Sequence, residues 1–480
     1  VHALNLAEPK QLLLPLTIAF IIAVLFSGAM RFIMLWTQTR FSYAIGADLS
    51  INIYRRTLYQ PYIVHLSRNS SEIIAGISGK ASGVVGNIIM PSMTILSSVL
   101  MLFTILIALI VIEPMIAFAA FGGFGAIYAL FIVSAKKHLI RHSQRTSREQ
   151  NNVIKALQEG LGGIRDVLID GTQATYCKIY RNADLPLRRA QASIQIIKST
   201  PRYGIEALGM VLIAALAFSL AGRPEGLAAA VPVLGALALG AGRLLPVLQQ
   251  AYSSWSAMRG GQVPLKDTLD LLDQPLPNYV DKPVPAPILF QHSISLNNMS
   301  FRYLSQTPWV LQGLNLTIPK GSRIGLIGST GSGKSTLLDI IMGLLNPTEG
   351  SLSIDGVSIT EQNHRAWQVH IAHVPQAIFL SDTTIAENIA FGMPVEQIDY
   401  DRVRQAAQQA QIASTIESWD KQYQTFVGER GIRLSGGQRQ RIGIARALYK
   451  QANVIVFDEA TSALDNDTEN AVMKAIESLG

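Results

Sequence analysis

One cysteine, Cys177, stands in 480 residues. That excludes an intrachain disulfide framework, and no Cys/His grouping has zinc-site spacing. Charge is sparse too: Asp, Glu, Lys and Arg make up 15% of the chain against 49% hydrophobic residues. The mean hydropathy of +0.27 is too high for an ordinary cytosolic enzyme. Acids are the minority, 33 against 40 Lys and Arg, for a net charge of +7. A basic balance of this kind admits nucleic acid, an anionic membrane surface or an anionic substrate as partner. No basic segment leads into the first apolar run, and that run is too long for a signal peptide.

What is present in the first half is uncharged length. Residues 11–30 carry no charge and close at Arg31, a length that suits a membrane-spanning helix. Residues 88–112 form a second run and residues 115–135 a third, with Glu113-Pro114 between them. Shorter runs at 207–222 and 226–242 are separated by Arg223-Pro224-Glu225. Two apolar runs around a tight break read as a helical hairpin that crosses and returns. The segments 37–87 and 136–203 hold most of the arginines and lysines of this half. The positive-inside rule puts both in the cytoplasm, which absorbs the bulk basicity without nucleic acid. Residues 48–64 and 149–168 have helical spacing and read as cytoplasmic extensions of the spans. Pro61, Gly160, Gly162 and Gly163 are the expected bends. Val1 falls outside the membrane on this parity. The chain is therefore expected to be a fragment, with one more span ahead of Val1.

Five prolines between residues 274 and 289 mark a semi-rigid linker. Beyond it, strand patterns (294–303, 314–318, 350–354, 371–375, 454–459) alternate with helical ones. This predicts an α/β domain with a largely parallel sheet. One further apolar run, residues 324–327, is expected to be a strand. It leads into Gly328-Ser329-Thr330-Gly331-Ser332-Gly333-Lys334-Ser335-Thr336, and a helical pattern follows. Strand, glycine-rich loop and helix are the context in which G-x-x-x-x-G-K-[ST] binds phosphate. Inward backbone N–H groups and the helix N-terminus make the cradle. Lys334 reaches the β/γ-phosphates, and Ser335 offers its hydroxyl to Mg²⁺.

An apolar strand ending in Asp458-Glu459 puts Asp458 at the Mg²⁺ shell. Glu459 then stands near the γ-phosphate as general base. Upstream, Ser435-Gly436-Gly437-Gln438 reads as a second cradle at a helix start. One ATP does not need two cradles from one chain. Ser435 to Gln438 are therefore expected to cap a nucleotide bound to a second copy.

With these residues in this order the sequence resembles the ATP-binding cassette exporters that fuse membrane and nucleotide domains, of the subfamily B type. The resemblance implies that Tyr303 stacks on adenine and that Gln376 contacts Mg²⁺ and water. It also implies that residues 428–431 relay to the membrane domain and that Asp465 works across the dimer interface. The family's γ-phosphate histidine has no counterpart before Gly480. The 480-residue chain by itself is thus expected to bind ATP and to hydrolyse it poorly. Residues 59–72 and 157–166 look like loops of bacterial lipid-linked oligosaccharide flippases. An anionic cargo of that kind calls for cavity arginines; Arg31 and Arg243 are candidates, with snorkelling at a helix end as the other reading.

The sequence-based expectation is an α-helical transmembrane domain (1–273, five visible spans of six), a linker (274–289) and an α/β phosphate-loop ATPase domain (290–480). The expected activity is ATP-driven export, with flipping of a lipid-linked glycan or polysaccharide precursor ahead of drug, lipid or peptide cargo. The expected setting is a bacterial inner membrane, with the ATPase domain cytoplasmic. One motif set per chain fits a homodimer, and a heterodimer stays open.

Overall fold

The computed structural model describes residues 13–112, 114–221, 226–283, 285–458, 469–470 and 473–474. Glu459, Asp465 and the 223–225 turn lie outside the described residues, as does the side chain of Arg243. The chain divides into two compact units: Val1–Gln60 with Arg68–Leu276, and Pro61–Ser67 with Pro277–Gly480.

The first unit is helical. Helix α1 spans Leu13–Leu58 and stops before Pro61, where a short α2, Tyr62–Ser67, begins. Helices α3 (Ser70–Ile74), α4 (Ala81–Val84) and α5 (Met90–Ile112) follow. Wider π-turns at Ala75–Lys80 and Val85–Ile89 join these three. Long α6 (Pro114–Gly162) gives way at Gly163 to α7 (Ile164–Ile169), then α8 (Gln173–Ala221), α9 (Gly226–Gly260) and α10 (Gln262–Leu272). Among the described residues, Leu13–Leu58, Ser70–Ala108 and Gly122–Gly162 are long and apolar enough to cross a membrane. The other two expected spans fall in α8 and α9, where many side chains lie outside the described residues.

Packing here relies on small residues and a few rings. The rings of Tyr128 on α6 and Tyr252 on α9 meet at a tilt, 5.6 Å between centroids, beside buried Phe124, Ile205 and Leu244. A Cβ on Gly46 of α1 would come within 2.4 Å of the Val85 side chain, so only glycine lets α1 approach the π-turn. The unit also holds a buried charge. Lys80, 6% exposed, donates to Asp267 Oδ2 of α10 at 2.7 Å. Ser147 of α6 donates to the same oxygen. Three elements thus meet on one carboxylate, which offsets the cost of burying the ammonium.

The second unit is α/β. Strands β1 (Ser293–Phe301) and β2 (Leu311–Pro319) pair antiparallel, ahead of α11 (Lys334–Ile341). Strand β3 (Glu349–Ile354) and the short β4 (Val357–Ser358) complete a sheet ordered β2-β1-β3-β4. After α12 (His364–Gln368), strand β5 (Ile371–Val374) leads to α13 (Ile385–Ile389), α14 (Tyr400–Gln409), α15 (Ala413–Glu417) and α16 (Gly436–Lys450). Strand β6 (Val454–Phe457) returns parallel to β5. The expected largely parallel sheet is therefore an antiparallel sheet plus one parallel pair among the described residues. Residues 324–327 form no ladder with the described strands. Apolar composition favours a strand there, but only a neighbouring ladder makes one.

Two apolar clusters hold this unit. One gathers β1 and β3 around α11, with Trp367 fully buried and its indole N–H donating to Ile341 O at 2.7 Å. That bond fixes the far end of α11 and so the stance of its phosphate-side start. The other packs α13, α14 and α15 on α16. Short α2 belongs to this unit, and its Tyr62 and Ile63 pack against the first cluster. No sequence signal pointed to that docking.

Candidate nucleotide-binding site

The phosphate loop is built by backbone conformation first. Gly331 and Gly333 sit at φ 84° and 89°, in the left-handed region. A Cβ on Gly333 would also come within 3.0 Å of Leu311 and 3.2 Å of the Val310 carbonyl. Both constraints demand glycine there. Gly333 is the N-cap of α11 and, having no side chain, offers no side-chain cap. The first N–H groups of α11 therefore stay available to an anion. Lys334 folds over the loop, its Nζ donating to Gly328 O at 2.8 Å and Ser329 O at 3.0 Å. The Ser332 N–H donates to Ser329 O at 3.2 Å and tightens the curl. Ser335 is exposed on the first turn, and Thr336 is buried.

Tyr303 reaches the same helix. Its hydroxyl is 3.0 Å from Thr336 Oγ1, and its ring meets Phe301 edge-on at 5.0 Å. The tyrosine is thereby fixed beside the phosphate loop, with Tyr62 of α2 in the same apolar cluster. Burial, then Asp339, then Tyr303 raise the Tyr62 hydroxyl pKa.

The parallel pair brings the acidic side of the site together. Val374 of β5 registers with Phe457 of β6, and the Asp458 N–H donates to Val374 O at 3.1 Å. Gln376 follows two residues after β5, so it and Asp458 leave the same sheet edge. Asp339 on α11 lies close by. Burial, then the Asp458 charge, raise its carboxyl pKa. Nothing in the sequence marks Asp339, a plain helix residue just past the motif.

Ser435 is not a loose cradle residue. Its Oγ accepts the Gln438 N–H at 3.2 Å, and Gln438 Oε1 accepts the Ser435 N–H at 2.8 Å. This is a capping box, legible as S-x-x-Q. It closes the start of α16 on itself and leaves exposed Gly436 as flat backbone. Thr384 and Glu387 build a second such box on α13. Arg430, between Gly428 and Gly431, holds φ 52°, so residues 428–431 form a strained turn ahead of Ser435.

The family profile described as "ABC transporter" matches residues 311–462, and the one described as "ABC transporter transmembrane region" matches residues 5–222. The chain belongs to the ABC transporter family. It is 33% identical over 349 residues to an ATP-dependent lipid A-core flippase of Chromohalobacter salexigens, covering 72% of this chain and 59% of that one. It is 40% identical over 186 residues to human ATP-binding cassette sub-family B member 5, covering 38% and 15%. A solved structure of a bacterial Atm1-family ABC exporter with ATP bound superposes with a TM-score of 0.82 at 24% identity. That alignment covers all of this chain and 84% of the other. This likeness shows the fold. The ABC transporter chain spans about 60% of the length of the curated flippases it matches over both units. It is an integral membrane protein with a nucleotide-binding domain, as the two matched regions require.

Proposed function

We propose that this chain is half of an ATP-driven exporter that moves a lipid-anchored, anionic cargo across a bacterial inner membrane, with a second copy as its partner. The observation that carries the reading is convergence. The uncapped start of α11 follows left-handed Gly331 and Gly333 with Lys334 folded over the loop, and Asp458 at the end of β6 acts electrostatically on Asp339 of the same helix. Lipid cargo is favoured because several of the relatives are named lipid A-core flippases. Within that class the lipid-linked glycan is the narrower reading, and drug or peptide export is the rival.

The oxygens of Ser335, Gln376 and Asp458 are hard donors that suit Mg²⁺. Burial, and then the charge of Asp458, push Asp339 toward its protonated form, and a cation here would relieve the second of these. When bound with ATP, Mg²⁺ would neutralise phosphate charge. Lys334 and the α11 N–H groups bind the β/γ-phosphates, and Gly328 to Thr336 wrap them. Tyr303 stacks on the base. Gln376 positions water, and Glu459 accepts its proton. The Ser435–Gln438 face of the second copy, with its Asp465, covers the phosphates. Closure is favoured by ATP only to the extent that ATP binds the closed pair more tightly.

Interchain cross-linking tests the sandwich. In a Cys177→Ser background, Ser329→Cys combined with Ser435→Cys should form a disulfide between chains when Mg²⁺ and ATP are added. Cross-linking that ignores ATP, or never forms, refutes it. The cargo class is tested in proteoliposomes. ATP-dependent flipping of a fluorescent lipid-linked oligosaccharide, with no uptake of cationic dyes, is the expected result.

A further inference from the structure

Helix α6 carries a buried stripe at four-residue spacing: Ala135, Leu139, Ser143 and Ser147, each 8% exposed or less. Its first half is apolar and its second half is hydroxyl. Beside the second half, His142 Nδ1, Thr146 Oγ1 and Asn151 Oδ1 are buried atoms with no hydrogen-bond partner among the described residues. Each carries a desolvation penalty that nothing in this arrangement offsets. Both serines engage α10. Ser143 Oγ accepts the Val263 N–H at 3.2 Å, which supplies the cap that Gly261, the N-cap of α10, lacks. Ser147 donates to Asp267, the carboxylate that also accepts from buried Lys80 of the π-turn. Ser143 lies about 12 Å past the end of the 115–135 apolar run, at 1.5 Å per residue, so these contacts stand on the aqueous side of the bilayer.

The two sides of α10 differ. Toward the π-turns it is seated by close approach: a Cβ on Gly261 would come within 2.8 Å of Asn87, and one on Gly76 would collide with Leu271. Toward α6 it offers a backbone N–H and a carboxylate to two hydroxyls. Stability alone does not call for this choice, because apolar side chains of similar volume hold such a junction as well or better. What charged and hydroxyl groups add is separability. Pulled apart, they are rehydrated, whereas parted apolar faces leave hydrocarbon in water. The unpartnered atoms of α6 would gain water in the same movement.

We propose that the face between α6 and α10 is a seam that opens to water during the nucleotide cycle, with the Lys80–Asp267–Ser147 cluster as its latch. The chain runs from the end of α10 directly into the linker and the nucleotide unit, so a displacement there reaches the latch along α10 itself. The seam rests on the exporter reading and gives it a moving part.

The test is labelling of a buried cysteine by a water-soluble maleimide, in the full chain, with Cys177→Ser as background and phosphatidylcholine nanodiscs as the bilayer. Ser143→Cys should react at least about tenfold faster in one of two states, nucleotide-free or with Mg²⁺ and ATP, than in the other. Ala190→Cys on α8, a position 1% exposed, should stay slow in both. Equal rates at position 143 in the two states would overturn the seam. A matching rise at position 190 would make the event unfolding and overturn it as well. Lys80→Met combined with Asp267→Leu separates a latch from a packing contact. That variant should melt at or above the wild-type temperature, yet the nucleotide-dependent difference at position 143 should vanish. A difference that survives would overturn the latch. Should the double variant fold poorly, Ser147→Ala decides. It should speed labelling of position 143 in the slow state by about tenfold, the worth of one hydrogen bond to a charge, and an unchanged rate would overturn the latch. ATP-driven lipid flipping is measured separately. Flipping with a seam that never opens sinks the seam alone, whereas a seam that opens with ATP in a chain that flips nothing sinks the exporter reading alone.

Discussion

Glycine stands at the start of both α11 and α16, as N-cap in one and first residue in the other, yet the two starts are opposites. At α11 the N-cap is Gly333 in the left-handed region, with no side-chain cap. At α16 the N-cap is Ser435, closed with Gln438 into a capping box. Every helix start leaves orphan N–H groups. In α11 they are left for a ligand, with Lys334 folded across the curl. In α16 the protein's own side chain takes one, and what remains is a stiff, exposed glycine face. An open start is a binding site in its own right; a closed start suits a lid that must arrive already shaped.

That contrast predicts the largest effect at Lys334. Lys334→Ala removes the one charge that the loop holds over its own backbone. Nucleotide-dependent hydrolysis should fall by about 100-fold or more, the scale of losing a preorganised charge-stabilising donor. Melting without nucleotide should barely change, because the ammonium binds only exposed loop carbonyls. ATPase activity in lipid and a thermal scan read the two parts. A large loss of stability with normal ATP affinity would make Lys334 a structural clip.

Gly333→Ala comes next. The substitution forces a Cβ into left-handed backbone, at about 1–3 kcal/mol, and against Leu311 and the Val310 carbonyl. Stability and ATP affinity should fall together here, unlike at Lys334. ATP affinity that stays at the wild-type level would show that the loop's curl does not depend on this residue.

The two starts also differ in how readable they were. The α11 loop was legible from its motif because glycine spacing and Lys334 encode the conformation directly. Glycine spacing likewise marks Ser435 to Gln438 as a cradle, while their bond to each other is encoded separately, in S-x-x-Q. The α/β class and most strand positions followed from alternation. The 324–327 strand did not, because a ladder is a property of neighbours rather than of the segment. Asp339 and Tyr62 were illegible for a related reason: they act through residues far away in sequence, Asp458 and Tyr303. In the membrane unit, composition located the three spans seen among the described residues but not the register of the helices, which packing between distant segments sets.

Ser435 sharpens the comparison because its two jobs can be separated. Ser435→Ala removes the cap and should cost about 1 kcal/mol, with a loss of hydrolysis. Ser435→Asp keeps an N-cap acceptor and suits the helix dipole, so melting should stay near wild type. Its charge, however, would face the partner's phosphates, and ATP-dependent cross-linking and hydrolysis should be lost. Full hydrolysis by Ser435→Asp would remove the lid role and leave Ser435 as a cap only.

The smallest expected effect is at Asp339, on the far side of the α11 start. Its carboxyl is pushed up by burial and then by Asp458. In the folded chain it therefore holds its proton to higher pH than in the unfolded chain. Between those two pKa values the folded state binds more protons, so stability falls as pH rises through that window. Once the pH exceeds the raised folded-state value, both states have lost the proton, and the folded state bears the full cost of a buried carboxylate beside another. Asp339→Asn removes that cost. The variant should melt slightly higher than wild type at pH 7, with the difference shrinking toward pH 4. Added Mg²⁺ and ATP should narrow the gap at pH 7 as well, if the cation lies where Asp458 directs it, because the wild-type repulsion is then already relieved. A gap that is constant across pH would assign the effect to packing, and the repulsion between Asp339 and Asp458 would have no part in shaping the site.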